Sequence, residues 1–565
     1  MVNLMDYPKP LIVQGDRSMF LEVANPLYED ARDDISRFSE LEKSPEHIHT
    51  YRLSDLSLWN AAAAGLTSEE VINILLKYSR YDIPSNVISD IKDIMSRFGR
   101  LSLKKINEDL VLFSQDELLI KEIQNNERIK KYVLDDIDDN TLKVDANSRG
   151  FLKQDLIKIG WPALDLAGYE DGDYLDINLL SISRSGVNFQ LRKYQEDAVN
   201  VFYRSGGVEG GSGTIVLPCG AGKTVIGMGV MAKVKTNTLI TCPNVIAVRQ
   251  WIDEIVDKTD ISREKIGEYT GEVKEIREIT VTTYQILTYR SKKEDEFTHF
   301  NIFDKRNWGL IIYDEVHLLP APVFQVTAHI QSKRRLGLTA TLVREDGREK
   351  DVFSLIGPKK FDMPWKNLEQ QGWIAEAICY EIRAHMPEKS RIVYATSDDR
   401  NKYRIAAENP FKYEILKKII EHHKNDRILI IGMYIEQLEK IAESLKAPLI
   451  TGKIPNKERE RIYSDFRKGK ISILVVSKVA NFAIDLPDAN VAIQVSGTFG
   501  SRQEEAQRLG RILRPKKDGS SAKFYSIVTK DTRDQEYSAN RQIFLTEQGY
   551  KYVIVDDHNI DCILK

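Results

Sequence analysis

The sequence predicts an α/β protein with two parallel-sheet domains in tandem, preceded by a helical N-terminal domain and a small α/β domain. From residue 190, short runs rich in β-branched residues alternate with amphipathic stretches of about 10 to 15 residues. The alternation restarts after residue 425, which indicates a second domain of the same kind. The chain has 565 residues, enough for roughly three to four domains. We predict their ranges as 1–85, 86–180, 181–365 and 366–565.

The first 85 residues are predicted to be mainly helical. Leu56–Ala64 and Glu69–Lys77 carry apolar residues at helical spacing. Thr67 stands three residues before Glu70, which fits a capping box at the start of the second helix. No catalytic pattern occurs in this range, so we expect a packing or partner-binding domain.

The remaining elements follow from the same patterns. Residues 86–180 are expected to contain a helix at Ile88–Phe98 and a strand at Asp109–Phe113, closed by a turn-rich stretch at 160–173. The strands expected in the two later domains are Thr214–Leu217, Thr238–Thr241, Leu310–Tyr313, Arg427–Ile431, Pro448–Ile450, Ile471–Val476, Val491–Val495 and Lys523–Val528.

Composition excludes several classes of protein. Lysine and arginine number 81 against 84 acidic residues, giving a net charge of -3, so any contact with nucleic acid must be local. The chain contains no CxxC pair and no apolar run of about 18 residues, which argues against a zinc ribbon and a membrane span. We expect a reduced, cytoplasmic protein. The cysteines, far apart in sequence, are Cys219, Cys242, Cys379 and Cys562.

The segment LPCGAGKT, residues 217–224, is typical of a phosphate-binding loop because a predicted strand precedes it and a helix follows. Its glycines let backbone N–H groups approach phosphates, and the helix N-terminus favours an anion. Lys223 is predicted to bind the β and γ phosphates of ATP, and Thr224 to hold Mg²⁺. The remaining candidate ATP-binding residues of the loop are Pro218, Cys219, Gly220, Ala221 and Gly222.

A second strand, in WGLIIYDEVHL, ends in two acids. Buried acids at a strand end are costly unless they bind a cation or face a cleft. We predict that Asp314 holds magnesium through water, that Glu315 orients the attacking water, and that His317 reports the state of the nucleotide. The hydroxyls of Thr339 and Thr341, in LTAT, can connect the nucleotide site to a second site.

The helical segment QEEAQRLGRILR carries three long polar side chains on one face. They are spaced at i, i+4 and i+7 and belong to the second parallel-sheet domain. We interpret the arginines as fingers that reach the γ-phosphate across a cleft between the two domains. The candidate residues are Gln507, Arg511 and Arg514.

Together these motifs resemble superfamily 2 helicases, and more narrowly the XPB family of DNA repair helicases in a bacterial form. LRKYQ, with Arg192 and Gln195, is similar to the family's adenine-sensing motif. LPCGAGKT, DEVH, LTAT and QRLGRILR are similar to motifs I, II, III and VI. The segment after LTAT matches the family's RED motif, formed here by Arg344, Glu345 and Asp346.

The resemblance implies two RecA-like domains, a damage-recognition-like domain at 86–180 and a thumb-like insertion at about 385–408. It implies an ATP- and Mg²⁺-dependent 3′→5′ DNA helicase or translocase acting in nucleotide excision repair on forked or single-stranded DNA. It also implies a nucleoid-associated location and a possible nuclease partner of the Bax type. Arg249 and Tyr284 stand at positions resembling the family's DNA-backbone motifs.

Three other functions remain open from the sequence. The chain could be a DNA-translocating motor of the restriction or remodelling type, although such motors lack the RED segment. It could be an ATP-gated damage-binding clamp that acts mainly with a nuclease, although its Lys, Glu and Arg candidates are all present. An RNA helicase is the third alternative, and the LRKYQ and RED segments argue against it.

Overall fold

The computed structural model confirms the α/β class, and the part of the chain that it describes forms four sheets, two of them parallel with seven strands each. Residues 8–218, 220–290, 298–331, 333–340, 348–363, 377–477, 489–497, 522–547, 550 and 552–564 are described. No helix among these residues combines the length and apolar character needed to cross a membrane.

The N-terminal unit combines helices with a four-stranded antiparallel sheet, of order β1-β2-β4-β3. The two expected helices are present, and the Thr67–Glu70 capping box forms as predicted. The sheet was not predicted, because strands of three to five residues are too short to display a clear alternation. The elements are β1 (Leu11–Val13), β2 (Ser18–Glu22), α1 (Tyr28–Ile35), β3 (Glu40–Lys43), β4 (Ile48–Arg52), α2 (Asp55–Ala63), α3 (Ser68–Tyr78) and α4 (Ser85–Arg97).

Helix α4 belongs to this N-terminal unit rather than to the next one. Its buried residues Val87, Ile91 and Ile94 lie in the same apolar core as α2 and α3. The boundary expected at residue 86 is therefore too early, since the sequence places the start of a helix there but not the core that the helix joins.

The second unit has a five-stranded mixed sheet of order β7-β8-β6-β5-β9 with two α-helices. The expected strand at Asp109–Phe113 is β6. The elements are β5 (Leu101–Ile106), β6 (Asp109–Phe113), α5 (Glu117–Asn125), β7 (Val133–Asp138), β8 (Thr141–Val144), α6 (Arg149–Lys158) and β9 (Ala163–Asp165).

The third unit, called lobe one, is built on a parallel sheet of order β12-β13-β11-β14-β15-β10-β16. Its central strands are buried along their length, as expected for a sheet covered on both faces. The elements are α7 (Lys193–Tyr203), β10 (Ser212–Val216), α8 (Lys223–Val234), β11 (Thr238–Cys242), α9 (Val245–Lys258), β12 (Ile266–Tyr269), β13 (Ile279–Thr283), α10 (Tyr284–Leu287), β14 (Leu310–Asp314), α11 (Ala321–His329), β15 (Arg334–Thr339), α12 (Glu349–Asp351) and β16 (Lys359–Asp362).

The fourth unit, lobe two, is built on a parallel sheet of order β19-β20-β18-β21-β22-β17-β23. The five strands expected here from the sequence are β18 to β22. The elements are β17 (Ala377–Ala384), α13 (Glu388–Thr396), α14 (Asp399–Ala407), α15 (Pro410–His422), β18 (Ile428–Gly432), α16 (Ile435–Leu445), β19 (Leu449–Ile450), α17 (Asn456–Arg467), β20 (Ile473–Ser477), β21 (Val491–Gln494), β22 (Ala522–Thr529), α18 (Arg533–Glu547) and β23 (Tyr552–Asp556).

The two lobes share one strand order. When the strands of each sheet are counted along the chain, both sheets read third, fourth, second, fifth, sixth, first, seventh. In lobe one the candidate phosphate loop follows the first strand, whereas in lobe two the helix pair α13–α14 follows it. This helix pair occupies the range predicted for the thumb-like insertion.

Candidate nucleotide site

The candidate phosphate loop joins β10 to α8 at the carboxyl edge of lobe one, as predicted. Gly222 caps α8 with a φ of 82°, and Gly220 has a φ of 84°. A Cβ atom at Gly222 would lie 2.5 Å from Nε2 of Gln195, so this position requires glycine. Pro218 and Ala221 complete the described part of the loop, and Cys219 lies outside the described residues.

Lys223, the first residue of α8, faces the acids at the end of β14. Its Nζ donates to Oε1 of Glu315 at 2.7 Å. The Lys223 side chain is 10% exposed and the Glu315 side chain 14% exposed. Glu315 has a φ of 49°, an uncommon conformation for a residue other than glycine. Such strain often accompanies functional positions, and here it turns the carboxylate toward the loop.

Asp314 and Glu315 are adjacent in sequence but differ electrostatically. Burial raises the pKa of Asp314 to about 6, and the neighbouring Glu315 charge adds to the effect. Burial also opposes ionisation of Glu315, but Lys223 and His317 outweigh it and lower its pKa. The Asp314 carboxylate accepts a hydrogen bond from Nε1 of Trp251 at 3.0 Å. A cation beside this carboxylate would favour its ionised form, and a carboxylate is a ligand that suits a magnesium ion also bound by phosphates.

His317 connects the acids to the next strand. Its Nδ1 lies 2.6 Å from Oγ1 of Thr339 and 3.4 Å from Oε2 of Glu315. The carbonyl of Thr339 accepts a hydrogen bond from the N–H of Leu217 at 2.9 Å. The ends of β14 and β15 are therefore joined through the His317 and Thr339 side chains, and the end of β15 is joined to that of β10 through the backbone. Thr341, Arg344, Glu345 and Asp346 lie outside the described residues.

The predicted adenine-sensing motif packs against the phosphate loop. Nε2 of Gln195 and the hydroxyl of Tyr194 both donate to the carbonyl of Ala221, at 3.0 and 2.7 Å. Oε1 of Gln195 accepts from the N–H of Arg192 at 2.9 Å. Sequence reasoning missed Tyr194 and Trp251, although both lie within segments already singled out as motifs.

The two candidate DNA-contact residues have different environments. Arg249 is 51% exposed and bonds Glu272 at 2.8 Å, so it is accessible to a phosphate. Tyr284 is buried, and its hydroxyl donates to the carbonyl of Asp314 at 2.8 Å. The chain leaves β13 with this ring directed into the core, and the expectation that Tyr284 belongs to a DNA-backbone motif stays a prediction. Gln507, Arg511 and Arg514 lie outside the described residues.

Three family models match the chain. Residues 368–562 match the ERCC3/RAD25/XPB C-terminal helicase model. Residues 11–138 match a helicase conserved C-terminal domain, and residues 188–344 match the type III restriction enzyme res subunit. The last match spans the candidate phosphate loop and the acids of β14.

Full-length relatives are similar over nearly the whole chain. The DNA 3′-5′ helicase XPB of Mycobacterium tuberculosis is 53% identical, with 97% of this chain and 98% of the relative covered. The DNA 3′-5′ helicase XPB of Kineococcus radiotolerans is 51% identical, with 98% and 97% covered. The general transcription and DNA repair factor IIH helicase/translocase subunit XPB of Enterocytozoon bieneusi is 33% identical, with 97% and 93% covered.

Proposed function

Because the chain belongs to the XPB family of helicases, we propose that it is an ATP-dependent 3′→5′ DNA helicase or translocase that opens or remodels DNA during nucleotide excision repair. The observation that carries the proposal is the pairing of Lys223 with Glu315 between the phosphate loop and the end of β14. These are the two groups that phosphoryl transfer to water requires on either side of a γ-phosphate.

ATP binds at the carboxyl edge of lobe one in this proposal. The N–H groups of residues 220–222 and the N-terminus of α8 receive the phosphates, and Lys223 exchanges Glu315 for them. Glu315 is then free to orient the attacking water and to accept its proton. Thr224 and Asp314 would hold Mg²⁺, which neutralises phosphate charge when bound.

Lobe two completes the site and links it to DNA. Arg511 and Arg514, aided by Gln507, stabilise the charge that develops on the transferred phosphoryl group. His317 and Thr339 relay the state of the nucleotide from the acids of β14 to the end of β15. The RED segment and Arg249 contact the DNA backbone, so DNA binding is independent of sequence and sensitive to salt.

The test is ATP hydrolysis by the purified chain alone, then with single-stranded DNA, forked duplex DNA and RNA. We expect strong stimulation by forked or single-stranded DNA and little by RNA. Equal stimulation by RNA would favour an RNA helicase. A rate indifferent to every nucleic acid would contradict the proposal and favour an ATP-gated clamp.

Strand separation and partner assays sharpen the assignment. Unwinding of forked DNA with 3′→5′ polarity distinguishes a helicase from a motor that translocates along duplex DNA. A Bax-type nuclease is the proposed partner, and its addition should alter hydrolysis or incision at the fork. We place this activity in the cytoplasm, on the nucleoid.

A further inference from the structure

Lobe two contains a counterpart of the lobe-one lysine site. Lys223 begins the helix that follows the first strand of lobe one, and Lys412 is in the first turn of α15, the next helix after the thumb-like pair in lobe two. Lys223 bonds Glu315, the residue after the fifth strand, whereas Nζ of Lys412 donates at 2.9 Å to the carbonyl of Val495, also the residue after the fifth strand.

The lobe-two lysine is sealed by protein groups. Its Nζ lies 2.5 Å from Oδ2 of Asp534, and both side chains are only 1% exposed. The same Asp534 oxygen accepts the N–H of Thr529, the last residue of the sixth strand, at 3.0 Å. Burial lowers the pKa of Lys412, and Asp534 opposes this effect. Because Lys412 is only 1% exposed and is bonded to a carboxylate and a carbonyl, it is not accessible to a phosphate.

Arg541 brings a second buried cation to the same place. It lies two turns after Asp534 on α18, is 1% exposed, and places Nη2 4.0 Å from Oδ1 of Asp534. Its guanidinium lies against Gly497, where an added Cβ would stand 2.6 Å from Nε. Gly497 therefore has no room for a side chain, and Arg541 fixes the chain where it leaves β21.

The thumb-like helix pair is attached to these same groups. The hydroxyl of Tyr403, on α14, donates to the carbonyl of Gly497. Oγ1 of Thr529 donates to the carbonyl of Ala406 at 2.6 Å and accepts from Nδ2 of Asn409 at 3.2 Å. The end of α14 is thus held by hydrogen bonds to the carboxyl ends of β21 and β22.

We propose that Lys412, Asp534 and Arg541, with Tyr403 and Thr529, form a positioning cluster that couples the helix pair α13–α14 to the chain leaving β21. That chain continues from Gly497 into residues 498–521, which contain the candidate arginines. The proposal rests on the proposed function. It adds a structural connection between the helix pair and the segment that contains the candidate arginines. In this proposal, a displacement of the helix pair would reach Gly497 through Tyr403 and the end of β22 through Thr529.

The test removes side-chain hydroxyls from the cluster and leaves its charged residues in place. Tyr403→Phe deletes the bond to Gly497, and Thr529→Val deletes the bonds to Ala406 and Asn409. Thr529→Ser keeps a hydroxyl and serves as the conservative rescue. Tyr525→Phe is the matched control, because its buried hydroxyl bonds Nε2 of His423 at 2.9 Å, away from the cluster.

We would measure ATP hydrolysis by each variant at saturating forked DNA, with thermal unfolding recorded in parallel. Loss of these positioning hydrogen bonds should lower the DNA-stimulated kcat about five-fold in Tyr403→Phe and at least as much in Thr529→Val, which loses two. The KM for ATP should stay near the wild-type value, because its binding groups belong to lobe one. Thr529→Ser and Tyr525→Phe should keep the wild-type kcat.

The outcomes separate this inference from the proposed function. Wild-type hydrolysis that ignores DNA would overturn both. Wild-type hydrolysis that DNA stimulates, with equal kcat in Tyr403→Phe and Tyr525→Phe, would overturn the coupling role alone. A fall in kcat that only follows a fall in thermal stability, and that Thr529→Ser does not rescue, would also overturn it.

Discussion

The carboxyl edges of the two parallel sheets use the same topology for different purposes. In lobe one, Lys223 and Glu315 form an ion pair whose side chains are 10% and 14% exposed. In lobe two, Lys412 and Asp534 meet in a pair that is 1% exposed on both sides. The strand order is identical, so topology alone does not decide which edge takes a ligand.

The groups that surround each lysine explain the difference. The partner of Lys223 is a carboxylate next to a glycine-containing loop, and phosphates can replace that carboxylate. The partners of Lys412 are Asp534 and the carbonyl of Val495, and Arg541 lies 4.0 Å from the same Asp534 carboxylate. We therefore expect Lys223 to serve a ligand and Lys412 to hold structure together.

The largest expected effect is on turnover in Lys223→Ala. Removing the ammonium deletes the cation that binds the β and γ phosphates, so DNA-stimulated ATP hydrolysis should fall by at least about a thousand-fold. Thermal unfolding should change little, because the pair borders an open edge. Steady-state hydrolysis with forked DNA checks this, and near wild-type turnover would show that the loop is not the catalytic site.

Glu315→Gln should abolish the chemical step while retaining ATP binding. The amide cannot accept the proton of the attacking water, and general-base groups contribute about a hundred-fold or more to rate. Single-turnover hydrolysis together with ATP-analogue binding measures both steps. Unchanged hydrolysis with weakened binding would assign Glu315 a binding role instead.

Asp534→Asn makes the same carboxylate-to-amide change in lobe two. We expect it to lower the free energy of unfolding. It leaves Lys412 and Arg541 buried without their carboxylate, and breaking a buried ion pair typically costs about 3–5 kcal/mol. Denaturant unfolding of Asp534→Asn and Glu315→Gln in parallel measures the free energy of unfolding of each variant. Equal stability of the two variants would contradict the assignment of a structural role to the lobe-two pair alone.

Thr339→Val should give the smallest effect. It deletes the hydrogen bond to His317, worth about 1 kcal/mol or roughly a five-fold change in an equilibrium. We expect a matching fall in the stimulation of hydrolysis by DNA, with ATP affinity retained. Thr339→Ser is the control, and a loss of ATP affinity in place of stimulation would argue against a relay.

Much of lobe one could be predicted from the sequence because its functional residues are local in the chain. The segment around Lys223 and the segment ending in Asp314 and Glu315 each show a strand followed by residues that suit phosphate or magnesium. Parallel strands place such ends at one edge, so the pairing of Lys223 with Glu315 follows from the motif. The burial of the Tyr284 ring could not be predicted, because burial depends on packing rather than on motif position.

The lobe-two cluster could not be predicted because its members come from distant elements. Lys412 and Asp534 are separated by 122 residues, and neither belongs to a recognisable motif. The N-terminal sheet was missed for a related reason: its pairing, such as Phe20 with Thr50, exists only in three dimensions. Local patterns identify elements, whereas buried charges and short strands acquire meaning through packing.

The most direct test of the central claim is the number of nucleotides bound per chain. Titration with a non-hydrolysable ATP analogue and Mg²⁺, in the presence of forked DNA, would measure it in the wild type and in Lys223→Ala. We predict a single nucleotide per wild-type chain and strongly weakened binding in the variant. A second nucleotide, or binding indifferent to Lys223, would contradict the assignment of one edge to a ligand and the other to structure.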